Sequence, residues 1–225
     1  RVTASTCAGD EGLLNIEREV ELSGPIHDKG VLILHSHLSS LFAHIAPLAM
    51  DAAVVFEQEY SGVEGDSASC AEFYALLSSL SGAPLQQGIA VTGAVNQRGE
   101  LLPVGGINEK IEGYFRSCKC LGLTGLQGVL MPRRNLRHLM LDEQVVQAVA
   151  AGQFHIHVAD TASEGMALLT GMPYGEMGSG GYEANSVLGR AQKTLQRFRR
   201  ACEQLDHKPA LKPNHRRHLG RDIDR

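Results

Sequence analysis

No stretch of the 225-residue chain approaches the roughly 18 consecutive apolar residues that a membrane-spanning helix needs. The opening Arg1-Val2-Thr3-Ala4-Ser5 also lacks the basic-then-apolar layout of a secretory leader. With no Met in first place, Arg1 is expected to begin a piece of something longer. Cysteine is scarce. Cys7, Cys70, Cys118, Cys120 and Cys202 are odd in number and scattered, which argues against a disulfide framework and for free thiols in a reducing, cytoplasmic compartment. Cys118-Lys119-Cys120 is no recurring zinc pair and no second pair follows it, so no metal site is expected. No Gly-x-x-x-x-Gly-Lys-Ser/Thr segment exists, so ATP binding through a P-loop is excluded. No internal repeat is visible.

What is present describes a soluble globular protein. Apolar residues make up 43 % and charged residues 20 %, enough to build a core. The net charge of −4 hides two blocks. Residues 187–225 hold 11 Lys/Arg against 4 Asp/Glu, a net +7, while residues 1–186 sum to −11. Arg190, Lys193, Arg197, Arg199 and Arg200 recur on one expected helix, and Arg216 and Arg217 follow in a tail. Such a block reads either as a solvated helix with a disordered end or as a site for nucleic acid or another polyanion.

Periodicity places the elements. Leu14–Leu22 alternates as a half-buried strand, and Ile26 to about Phe42 carries a helical stripe of Val31, Leu34, Leu38, Leu41 and Phe42. Ala52–Phe56 is a short buried strand, and Tyr60–Asp66 is a loop by its glycines and carboxylates. A helix is predicted from Ser67 to Leu80, with Ala71, Leu76, Leu77 and Leu80 inward, then a strand from Gly88 to Val95. Asn96-Gln97-Arg98-Gly99 turns into a hairpin partner at Glu100–Val104. A helix follows from Ile107 to about Leu121, a strand at Gly128–Met131, a mostly helical Arg133–Ala151 and a strand at Phe154–Val158. Thr161 with Glu164 opens a last helix to Leu169 in a capping-box pattern. Strands and helices without strict alternation predict a mixed α/β (α+β) domain over residues 1–173. Residues 174–225 read as a Gly-rich linker at 175–186, a basic helix at Val187–Leu205 and a disordered tail from His207.

Two segments carry chemistry: Gly65-Asp66-Ser67-Ala68-Ser69 and Gly105-Gly106-Ile107-Asn108-Glu109-Lys110. Ser67 falls where a glycine loop becomes a helix, so free backbone N–H groups and the positive helix end would stabilise an oxyanion there. A serine hydroxyl needs a base, and a lysine can act as one only if its pKa falls from ~10.4 toward ~7–8. Lys110 sits in the first turn of its helix, where the dipole disfavours an ammonium, beside Val104, Ile107 and Ile111, which would desolvate it. Plainer readings stand beside both: Asp66 or Ser67 as a helix cap, and Lys110 as a surface partner of Glu109 or Glu112.

Longer motifs then bear on the choice. Gly62-Val63-Glu64-Gly65-Asp66-Ser67-Ala68-Ser69 resembles the nucleophile motif of Lon proteases, nearest the LonB-like branch. Val91-Thr92-Gly93, Arg98-Gly99-Glu100, Pro103-Val104-Gly105-Gly106 and Lys110-Ile111 are similar, in order, to the block around that family's lysine, and Lys29-Gly30-Val31-Leu32 also fits. The 43-residue separation of Ser67 and Lys110 suits the family, and the similarity runs over about residues 14–171. The resemblance implies the Lon proteolytic-domain fold of small mixed sheets flanked by helices. It also implies a serine endopeptidase with Ser67 as nucleophile, Lys110 as base and Thr92 holding the lysine. Glu64 and Asp66 match acidic positions beside the nucleophile. It further implies a hexameric ring, unfolded polypeptide substrates and fusion to an AAA+ ATPase; ATP is expected there, with no cofactor in this chain. Some relatives carry a histidine on the strand where Ala52-Ala53-Val54 stands, so a histidine-assisted variant is not expected here.

Two rivals stay open. A Ser-His-Asp hydrolase would combine Ser67 with His155 or His157 and Asp142, although Ser69 replaces the second glycine of a nucleophile elbow. The other is an oligomeric domain that kept the fold and lost the chemistry.

Overall fold

The computed structural model describes residues 1–206, so the expected tail from His207, with Arg216 and Arg217, lies outside the described residues. The strands are β1 (Val2–Cys7), β2 (Gly12–Asn15), β3 (Asp51–Phe56), β4 (Ile89–Val91), β5 (Ala94–Val95), β6 (Leu101–Leu102), β7 (Gly128–Pro132), β8 (His155–Ala159), β9 (Met177–Gly178) and β10 (Gly181–Tyr182). The helices are α1 (Ile16–Glu19), α2 (Pro25–Leu41), α3 (Ser69–Ser81), α4 (Ile107–Leu121), α5 (Glu143–Ala150), α6 (Ala162–Thr170) and α7 (Val187–Asp206). One sheet runs β1-β3-β2, with β1 antiparallel and β2 parallel to β3; another runs β4-β7-β8, all parallel. β5 and β6 form a hairpin, as do β9 and β10. This is the expected mixed α/β architecture of small sheets and flanking helices.

Two apolar clusters organise these elements. The larger surrounds α3, whose Phe73, Tyr74, Leu76, Leu77 and Leu80 are fully buried among β1, β3, α2, α6 and α7. Burying each such side chain stabilises by about 1.5–3 kcal/mol, so packing rather than propensity holds this helix. It ends at Gly82, in the left-handed region at φ 64°, where the Gly82 N–H closes on the Ser78 carbonyl at 2.8 Å. The smaller cluster joins α4, β7 and α5 through Ile107, Ile111, Phe115, Met131, Val145 and Phe154.

Several expectations are corrected by tertiary contacts. The strand expected over Leu14–Leu22 stops at Asn15, and the chain makes one helical turn instead. Glu17, a polar position of the alternating pattern, is buried, and its Oε1 accepts the Phe56 N–H at 2.6 Å, which ties α1 to the end of β3. The strand expected over Gly88–Val95 is broken at Thr92-Gly93, because β4 pairs with β7 whereas β5 pairs with β6. Within Arg133–Ala151, a 3-10 segment (Arg133–His138) and α5 are separate pieces. At α6, Thr161 does cap, its Oγ1 accepting the Glu164 N–H at 3.3 Å; Glu164 accepts from the Asp160 N–H rather than from Thr161.

The C-terminal segment is neither a bare linker nor a solvated helix over its described length. β9 and β10 fill part of 175–186, and the Tyr182 hydroxyl donates to the Leu41 carbonyl at 2.8 Å. On α7, Val187, Leu188, Ala191 and Leu195 are buried in the larger cluster against α3. Arg190, Lys193, Arg197 and Arg200 follow the opposite side, and Arg199 is exposed one turn beyond buried Leu195. No described helix is long and apolar enough to cross a membrane.

Candidate active site

Ser67 lies in the turn before α3, not in the helix itself. Gly65 enters that turn at φ 81°, a conformation a side chain would strain. The Asp66 carbonyl accepts the Ser69 N–H at 3.0 Å, Ala68 takes the N-cap position, and no side chain caps the helix. The Ser67 hydroxyl is therefore not spent on capping, and the plain reading of a capping serine does not hold. Among the described residues the N–H groups of Ser67 and Ala68 have no intramolecular acceptor, leaving two donors beside the hydroxyl in the chain.

The break between β4 and β5 clamps this turn. The Gly93 N–H donates to the Ser67 carbonyl at 2.8 Å, and the Cys70 N–H donates to the Gly93 carbonyl at 3.2 Å. Buried Ser69 adds a third tie, its Oγ accepting the Val95 N–H at 3.0 Å. The approach is close enough that a Cβ on Gly93 would stand 3.2 Å from both Cys70 Sγ and Pro132 Cγ. On the other side, α2 packs onto the turn at Gly30, where a Cβ would come within 3.3 Å of Asp66 Cβ. Lys29-Gly30-Val31-Leu32 thus has a packing reason.

Lys110 arrives from the smaller cluster. Gly106, at φ 65°, turns the chain into α4, and the Lys110 N–H donates to the Gly106 carbonyl at 3.1 Å. Ile107 and Ile111 anchor that first turn in the core. The side chain of Lys110 is largely exposed, but its amine reaches inward. Nζ is 2.9 Å from Ser67 Oγ and 3.4 Å from the Oγ1 of buried Thr92. Burial of the amine lowers its pKa from the ordinary 10.5, and the negative charge of Asp66 offsets part of that shift. Thr92 is itself placed by its N–H, which donates to the Leu130 carbonyl at 3.1 Å, and its Oγ1 lies 3.5 Å from the Ser67 carbonyl. A serine from the turn before α3, a lysine from the first turn of α4 and a threonine at the break between β4 and β5 meet at hydrogen-bond distance.

The other expected residues divide. Asp66 is exposed and acts on Lys110 through charge. Glu64 turns away: its Oε1 accepts the Gly65 N–H at 3.2 Å, and its carboxylate lies over Gly24, where a Cβ would collide with it. Nothing joins Ser67 to a histidine among the described residues. The His155 Nε2 is 2.8 Å from the Gly125 carbonyl, and Asp142 begins α5 with its N–H on Glu112. The triad therefore lacks its geometry. Sequence reading missed Ser69 and Gly93 as the parts that fix the nucleophile turn, although both stand in the quoted motifs, Ser69 as the first residue of α3 and Gly93 directly after Thr92.

Comparison with known proteins bears on the family. Residues 60–170, which contain Ser67, Thr92 and Lys110, match the family described as the Lon protease (S16) C-terminal proteolytic domain. The chain is 45 % identical over 169 residues to a Lon protease homolog of Escherichia coli (strain K12), covering 75 % of this chain and 29 % of that protein. A Lon protease homolog of Haemophilus influenzae is 41 % identical over 171 residues, 76 % of this chain and 28 % of the other. An archaeal Lon protease from Archaeoglobus fulgidus is 39 % identical over 95 residues, 42 % of this chain and 14 % of the other. Fold, site and similarity together define a proteolytic domain, and the chain belongs to the Lon protease family. It spans less than a third of the length of these relatives.

Proposed function

We propose that this domain is a serine endopeptidase working through a Ser67–Lys110 dyad. The reading is carried by one observation, the 2.9 Å approach of Lys110 Nζ to Ser67 Oγ. With the amine neutral, Ser67 Oγ attacks the scissile carbonyl carbon while its proton passes to Lys110 Nζ. The oxyanion is met by backbone N–H groups at the start of α3, those of Ser67 and Ala68 being free. Lys110 returns the proton to the leaving amine as the C–N bond breaks, leaving an ester on Ser67. Water, deprotonated by Lys110, then attacks that ester, and Lys110 passes the proton to Ser67 Oγ as the ester C–O bond breaks, restoring both groups. Thr92 Oγ1 restrains the amine, and Asp66 sets how readily it charges.

The family resemblance supports the wider setting: unfolded polypeptides as substrates, an AAA+ ATPase portion elsewhere in the full-length protein that binds ATP and unfolds them, and a homohexameric ring. The five free cysteines suit a reducing cytoplasm. Alone, this chain is expected to cleave a short fluorogenic peptide slowly, to nick an unfolded polypeptide, and to leave a stable folded protein intact. Rapid ATP-independent degradation of that folded protein would contradict the proposal.

A second role is favoured by the stripe of Arg190, Lys193, Arg197 and Arg200 on the exposed side of α7, spaced at three and four residues. We infer weak polyanion binding there. Because α7 is part of the core, the test is charge reversal of those four residues, not truncation. DNA binding measured by anisotropy should weaken steeply with salt and vanish in the reversed variant. Equal binding by both chains ends this idea.

A further inference from the structure

β7 leads to two segments that support the proposed dyad, the strand break at Thr92 and the approach to α4. Its Leu130 carbonyl holds the Thr92 N–H at 3.1 Å, and just past Pro132 the chain brings Asn135 to the segment leading into α4. Asn135 is 1 % exposed, and its carboxamide is used entirely on one residue. Oδ1 accepts the Val104 N–H at 3.0 Å, and Nδ2 donates to the Val104 carbonyl at 2.9 Å. That is the pairing a neighbouring strand would offer, supplied here by a side chain. A second asparagine ties in the opposite direction. Asn108, two residues before Lys110, donates through Nδ2 to the His138 carbonyl at 3.1 Å, and its Oδ1 accepts the Met140 N–H at 2.9 Å. Four hydrogen bonds therefore strap residues 135–140 to both sides of Gly105-Gly106.

That glycine pair is where the lysine-bearing turn would otherwise be loosest, since glycine restrains the backbone least. A displacement of about 1 Å in a reacting group can cost about 10²-fold in rate. We propose that Asn135, with Asn108 as its reciprocal, is a positioning residue that holds Lys110 within reach of Ser67. This rests on the dyad reading above. A buried amide could also serve stability alone, so the distinguishing readout is the chemistry of the amine. A loosened turn returns the amine to water, and the pH at which it becomes a neutral base rises.

The test compares Asn135→Asp and Asn108→Ala in the full chain. The first keeps the shape and the acceptor for the Val104 N–H but removes the donor; the second removes the reciprocal pair at a half-buried position. Both are expected to lower kcat on a fluorogenic peptide by about 10- to 10²-fold with KM little changed. Both should also move the acidic limb of the pH–rate profile to higher pH. Gln144→Ala, which breaks only the contact to Lys119 further along α4, should keep wild-type kcat and limb. Thermal unfolding identifies a variant that fails to fold, and if Asn135→Asp does, Asn108→Ala decides alone. Folded variants with wild-type kcat overturn the proposal, as does a loss of kcat with the limb unmoved. Lys110→Met in the same assay separates the two levels: if it stays active the dyad itself falls. If it is dead while the asparagine variants are normal, only the strap does.

Discussion

Replacing Ser67 by Ala is expected to lower kcat/KM for a short peptide by on the order of 10⁴-fold or more, and replacing Lys110 by Met to do the same. The double variant should be no worse than either single one, because the two side chains act as a unit: an unactivated hydroxyl and a base without its nucleophile are equally idle. Lys110→Arg should be as inactive as Lys110→Met, since a guanidinium keeps its proton at any working pH. The pH dependence follows from the same requirement. Lys110 must be neutral to accept the serine proton, so the rate rises as pH passes upward through its pKa. Burial sets that pKa below the ordinary 10.5. The Asp66 carboxylate favours the ammonium, so Asp66→Asn should move the limb to lower pH. Peptide kinetics across pH for these variants checks each sign. A Lys110→Met enzyme with wild-type turnover would leave the 2.9 Å contact without catalytic meaning.

The second large effect concerns stability. His27 and Glu72 are 0 % and 1 % exposed, and Nε2 lies 3.0 Å from Glu72 Oε1, pinning α2 to α3 one turn and a half beyond Ser67. Removing either partner strands a buried charge, so His27→Ala or Glu72→Ala should lose about 3–5 kcal/mol in chemical denaturation. A double replacement by apolar residues should cost clearly less than the sum of the singles. The pair is also a pH sensor for folding. Burial alone would lower the pKa of His27, but the hydrogen bond and charge of Glu72, with the charges of Glu17 and Asp28, outweigh it and raise it above 6.5. A raised folded-state pKa gives a contribution fully present below the unfolded value near ~6.5 and lost as pH climbs through the folded one. Wild-type stability should therefore fall over that window, and His27→Gln should flatten the fall. A pH-independent difference between the two proteins would show that the ring is not charged at the lower pH.

How much of this was legible depends on whether the cause was local. α4 was readable from Gly105-Gly106 to Leu121 because a glycine turn and a helical apolar stripe are both chain-local signals. β3 and the β5–β6 hairpin were readable for the same reason, and the nucleophile and lysine segments stood out by motif. Glu17 was unreadable as a buried residue, since its burial depends on meeting the Phe56 N–H from a strand 39 residues away. The break at Thr92-Gly93 left a local mark, a Thr-Gly pair inside an otherwise apolar run, but nothing local says that the two halves join different strands, β7 and β6. Yet that break is what brings Thr92 and the Gly93 clamp to Ser67. α7 is a different case. Val187, Leu188, Ala191, Leu195 and Phe198 already form a helical stripe in the sequence, but the basic residues between them drew the reading toward solvent. His27 carried no signal beyond its place on a helix, because its partner lies on another.

Activation of Ser67 by Lys110 is measured most directly with a fluorophosphonate probe, which needs neither a substrate nor a partner domain. Labelling followed by peptide mapping across pH should place the adduct on Ser67, with a rate that rises through a limb below the ordinary lysine range and disappears in Lys110→Met. An adduct on another serine, or wild-type labelling of Ser67 with methionine at 110, would contradict it.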